Sequence, residues 1–197
     1  GWQLGLVGAS YQPAVAPDPR EQLQLLDAAA KARPDDPSVH IEQAEASLAD
    51  AQLPGQDAKM RTLLLTDALR AADRAAGLGA PAWRVDVVRA LSQKALGDDA
   101  AAYQLAERAV PAMPTELHDA NSAAVLFLFA EARQEAIAKA WREKREWPRQ
   151  WLTDVHAAYA VLGRHPFGTD VQAAHHYDFL GFFGGGVAAN QALDQGL

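Results

Sequence analysis

The chain has 197 residues, no cysteine and a formal net charge of −7, with 49% hydrophobic and 22% charged residues. This composition is that of a globular chain rather than a disordered one, and without thiols a disulfide framework, a thiolate zinc site and a cysteine nucleophile are excluded. The acidic balance argues against a nucleic-acid binder, which needs cations to displace counterions from phosphates.

Alanine, the strongest helix former, supplies 43 residues, whereas β-branched isoleucine occurs only at Ile41 and Ile137. The predicted fold class is therefore all-α, and a β-sandwich or barrel is excluded. Residues 1–17 read as an irregular lead-in, with Pro13 and Pro17. A helical body spans 18–162, and the segment 163–197 is rich in glycine and aromatic residues.

Within the body, Asp18 caps a helix that begins at Pro19 and carries Leu23, Leu26 and Ala30. The run Pro34-Asp35-Asp36-Pro37 stops it and starts a second helix, with Val39, Ile41, Ala44 and Leu48. Asp57 opens a third helix whose predicted apolar face is Met60, Leu64, Ala68, Ala71 and Ala75. A fourth, from Pro81, carries Trp83, Val87, Leu91 and Ala95 and ends at Gly97. Asp98 or Asp99 then caps a fifth, with Tyr103, Ala106, Val110 and Met113, and so short a link makes the two an antiparallel hairpin.

Asp119 caps the longest predicted helix, which runs to Glu146. It is apolar nearly all round from Ser122 to Ala130 and amphipathic through Ile137 and Trp141. Pro148 begins a last helix with Trp151, Val155 and Leu162. The basic stretch Lys139–Arg149 is interleaved with Glu143 and Glu146 at helical i,i+4 spacings, as on a solvated helix face. Trp147 and Trp151 are expected to pack at an elbow around Pro148, with Arg145 or Arg149 as cation–π partners.

Helix pairs separated by prolines, repeating at a rough spacing of about 35–43 residues, are the mark of a helical solenoid. Gly97, Ala102, Ala109 and Pro114 follow one another at intervals of five, seven and five residues. This pattern resembles the second half of a tetratricopeptide repeat, with a partial earlier counterpart in Ala29, Pro34 and Asp35-Asp36-Pro37. The resemblance covers about residues 18–114. It implies an α–α superhelix in which the first helix of each pair lines a groove for a protein or peptide. Carried onto the 81–96 helix, the groove positions are Arg84, Val87, Leu91 and Lys94, with Arg84 and Lys94 as the partner-binding cations.

Two further features bear on chemistry. His165, His175 and His176 lie near Asp170, Asp178 and His156 but match no metal-binding spacing, and adjacent histidines on a helix diverge by about 100°. The run Asp178-Phe-Leu-Gly-Phe-Phe-Gly-Gly-Gly-Val lacks the strand and the Gly-Lys-Ser/Thr of a phosphate loop. It reads as a helical cap closing the end of the stack.

The leading expectation is a protein-interaction or scaffold module without a cofactor, metal or catalytic residue. The alternatives are a helical enzyme or metal-binding protein using the C-terminal His and Asp residues, and an accessory segment of a larger chain. The chain begins at Gly1 without a methionine, which reads as a processed or excised chain, so no compartment is assigned. Its most apolar run, Ala123–Ala130, is too short to span a bilayer.

Overall fold

The computed structural model describes residues 18–114 and 119–162. Among them are seven α-helices and no strand: α1 (Pro19–Ala32), α2 (Pro37–Ala51), α3 (Ala58–Gly77), α4 (Ala82–Leu96), α5 (Asp99–Ala109), α6 (Ala120–Arg142) and α7 (Arg149–Leu162).

Aspartate starts five of them. Asp18, Asp36, Asp57, Asp98 and Asp119 each accept a backbone N–H of the first turn, from Arg20, Ser38, Met60, Ala101 and Ser122, at 2.7–3.0 Å. Each cap satisfies an N–H with no intrahelical acceptor and places a carboxylate at the positive end of the helix dipole. Among the α-helix caps described, α4 alone has no side-chain hydrogen bond at its start, where Pro81 sets the entry instead.

Gly97 ends α4 with φ +88°, a left-handed conformation that a Cβ disfavours. Gly97→Ala is expected to lower stability by about 1 kcal/mol, whereas Gly77→Ala, at a helical position with open space around it, should raise it slightly. Thermal unfolding of the two variants gives the comparison.

Two predicted boundaries shift. α5 stops at Ala109 rather than running to Met113, and a 3-10 turn, Val110–Ala112, follows. Pro111 has no N–H to continue the ladder. α6 stops at Arg142 rather than Glu146, because Lys144 turns left-handed (φ +53°) and the Arg145 N–H closes back onto the Ala140 carbonyl at 2.8 Å.

Polar ties show how the helices run. At one end of α2 and α3 the Arg61 Nε donates to the Ala51 carbonyl (3.3 Å), and at the other the Arg74 Nη2 donates to that of Pro34 (3.2 Å). Lys94–Asp99 (3.2 Å) beside the Gly97 turn and Arg108–Asp86 (2.8 Å) at the far end make α4 and α5 antiparallel in the same way. Gln43–Asp27 and Arg20–Asp50 do so for α1 and α2. α6 packs on α7, with Phe127 and Tyr159 edge to face at 6.2 Å. The first helices of these successive pairs, α2, α4 and α6, also pack on one another in order.

The core explains the alanine content. Ile41, Leu48, Leu65, Val85, Val88, Val125, Ile137, Val155 and Leu162 are fully buried, and between them lie Ala44, Ala68, Ala72, Ala75, Ala90, Ala102, Ala106, Ala109 and Ala130 with no exposed surface. A methyl side chain in the contact lets two helix backbones approach closely. Some predicted faces rotate slightly. On α3, Ala72 is buried and Met60 is exposed, and on α6 the buried stripe passes through Ile137 and Ala140. Trp141, one residue and about 100° beyond Ala140, is consequently turned outward and 55% exposed.

Candidate interaction surface

α4 is largely enclosed, with Val85, Asp86, Val87, Val88, Ala90, Leu91 and Ser92 all buried. Of the four groove positions predicted on it, Val87 and Leu91 are core. Arg84 and Lys94 are the two that reach the surface, with side chains 32% and 35% exposed. They stand near opposite ends of the helix, and each faces a different neighbouring helix.

Arg84 grips Glu45 of α2 with two parallel bonds, Nε–Oε1 at 2.6 Å and Nη2–Oε2 at 2.7 Å. This fork-to-fork pairing is the strong form of a charge-assisted hydrogen bond. The Glu45 carboxylate, hydrogen-bonded to the guanidinium, holds the Arg84 pKa above its ordinary value against the opposing effect of burial. Nη1 takes no part in the grip.

Lys94 reaches toward α6. Its ammonium lies 3.1 Å from Glu131, 3.2 Å from Asp99 and 3.5 Å from the Tyr103 hydroxyl, and 5.0 Å from the Tyr103 ring centre. Three donors meet three oxygens, so its hydrogen-bonding capacity is used within the chain. Burial by itself pulls the Lys94 pKa down, but hydrogen bonds to Glu131 and Asp99 more than offset it and leave the pKa raised.

A raised folded-state pKa contributes stability that is complete below the unfolded value, about 10.4, and is lost as pH rises through the folded one. Stability should therefore fall above about pH 10.5, more steeply with Lys94 present than with Lys94→Met. Denaturant midpoints between pH 9 and pH 12 check this. Burial also pushes the Tyr103 hydroxyl up while Lys94 opposes it, so both proteins in the comparison carry Tyr103→Phe and differ in Lys94 alone.

The acidic partners were not visible in the sequence. Glu45 lies 39 residues before Arg84, and Glu131 lies 37 residues after Lys94. Only the stacking of α2, α4 and α6 makes them neighbours. A similar link further along was also missed: Arg133 of α6 pairs with Glu107 of α5 (2.8 Å) and Asp154 of α7 (3.6 Å). Its guanidinium lies 5.1 Å from the Phe129 ring centre and 5.4 Å from that of Trp151. The cation–π partner found at Trp151 is thus Arg133, from the helix packed against it, rather than the sequence-adjacent Arg145 or Arg149. Trp147 and Trp151 each pack against the core near the α6–α7 elbow.

Among the described residues no group of three or more His, Asp or Glu side chains is placed to hold a metal ion. The cluster of His165, His175 and His176, the glycine-rich run and the proposed C-terminal cap lie outside the described residues, as does the lead-in 1–17. No described helix is long and apolar enough to cross a membrane. No family model matches the chain, and neither the curated proteins nor the solved structures contain a match to it.

Proposed function

We propose that this chain is a tetratricopeptide-like helical-repeat module that binds a protein or peptide partner on the surface made by the first helices of its pairs. The observation that carries this reading is the side-by-side packing of α2, α4 and α6, tied at repeat-like separations by Arg84–Glu45 and Lys94–Glu131. Gly97, Ala102 and Ala109 support it further. The glycine makes the left-handed turn between paired helices, and both alanines are fully buried, as close helix packing requires.

The two cations divide the work. Lys94, with its donors used internally, holds α6 to α4. Arg84 keeps Nη1 for a partner's carboxylate while Glu45 fixes the plane of its guanidinium. An arginine already oriented in this way loses less side-chain entropy on binding than a free one.

Affinity capture with the purified chain as bait tests this. A partner captured saturably by the wild type should be lost by at least about tenfold in the Glu45→Arg/Arg84→Glu exchange, which keeps an ion pair and the net charge but removes the guanidinium from position 84. Arg70→Gln, on α3, should capture as the wild type does. Equal capture by all three proteins would refute the assignment of this face.

A further inference from the structure

The α6–α7 elbow differs in charge from the rest of the protein. Five of the chain's 18 Lys and Arg residues and two of its 25 Asp and Glu residues fall between positions 139 and 149, so this short stretch carries +3 and the remainder −10. Six successive residues, 141–146, are exposed. Trp141 is among them, the one tryptophan with more than half its surface open among the described residues. Among those residues, Glu143 pairs with Arg145, and no carboxylate pairs with Arg142 or Lys144.

The backbone supplies an independent observation. At the other left-handed positions among the described residues, 55, 79 and 97, the chain uses glycine. At the left-handed turn that ends α6 it uses Lys144, although glycine is the residue this turn favours. Cations near a helix C-terminus complement the helix dipole, which accounts for Arg142. It does not account for a lysine in a conformation that a side chain disfavours. A residue held in a disfavoured conformation at an exposed tip points to a use for its side chain.

We propose that this elbow is a peripheral docking site for an anionic phospholipid surface, with Trp141 entering the headgroup layer and Arg142, Lys144 and Arg145 meeting the lipid phosphates. Tryptophan settles at the membrane–water interface, and each basic residue close to an anionic bilayer strengthens binding by about fivefold. The positive tip complements such a surface, and the acidic remainder is screened once it lies more than a Debye length, about 8 Å, away. A tip of six consecutive exposed residues meets a flat bilayer more fully than it could meet a peptide, which gains affinity from an enclosing groove. The contact is peripheral, since no described helix can span the bilayer. It does not involve Arg84, the cation proposed to meet a protein partner.

The test is co-sedimentation of the full chain with vesicles of phosphatidylcholine alone or with phosphatidylserine added. The net +3 of residues 139–149 gives about a hundredfold preference for the serine-containing vesicles at low salt, declining as salt is raised. Arg142→Gln/Lys144→Gln should bind them about 25-fold more weakly, and Trp141→Ala should weaken binding at either composition. Lys144→Gly is the discriminating variant: it should melt at a higher temperature than the wild type yet bind about fivefold more weakly. Unchanged binding by Lys144→Gly, or no preference for phosphatidylserine, would overturn the proposal. So would failure on vesicles alongside charge-dependent binding to a polyglutamate peptide, which would give the tip to an acidic protein instead.

Discussion

Leu65→Ala is expected to destabilise the protein by about 2–5 kcal/mol, seen as a lower denaturant midpoint with little change in slope. Leu65 lies on α3 and is almost wholly buried in the core shared by the helix pairs. Removing three carbons there loses their transfer free energy and leaves a cavity that helices already in close contact fill poorly. For a small domain with a total stability of about 5–15 kcal/mol, that is a large share. Leu63, two residues earlier on the same helix, is half exposed, and Leu63→Ala should change stability by no more than about 0.5 kcal/mol. The two substitutions are chemically identical, so the difference between them reports the packing of α3 alone.

The second large effect goes in the opposite direction of size. Ala106→Leu, on the buried side of α5, adds three carbons where the alanine has no exposed surface. Overpacking of this kind costs about 1–3 kcal/mol, because side chains must leave their rotamers or the helices must separate. Leucine is nearly as good a helix former as alanine, so propensity cannot be the cause. Ala100→Leu, at an exposed position of the same helix, supplies the control and should be close to neutral. If both variants were neutral, alanine would be marking helix propensity only, with no close approach of helices behind it.

These contrasts bear on how much the sequence disclosed. The aspartate caps and the Gly97 turn were legible because capping and left-handed turns are local chemistry, decided within a few residues. The buried run of α6 was legible because Ser122–Ala130 has no polar face to turn outward. Trp141 was placed on the wrong side because one residue past Ala140 is enough to rotate a side chain out of the core, and only the neighbouring helix defines where that core ends. The roles of Arg84 and Lys94 were half visible. Both do reach the surface of α4, but what they touch depends on Glu45 and Glu131, nearly forty residues away in each case. Spacing within one helix carries no information about which helix lies beside it. The cation at Trp151 shows the same limit: Arg145 and Arg149 were near in sequence, and Arg133 was near in space.

The central claim is that successive helix pairs stack with α2, α4 and α6 side by side. A double-mutant cycle on Glu45 and Arg84 tests it most directly, using Glu45→Ala, Arg84→Ala and the pair, each measured by denaturant unfolding. Two groups joined by parallel hydrogen bonds at 2.6 and 2.7 Å across α2 and α4 should couple by about 1–3 kcal/mol. Additivity within about 0.3 kcal/mol would mean that the two residues do not meet, and would contradict the stacking on which the rest of the account depends.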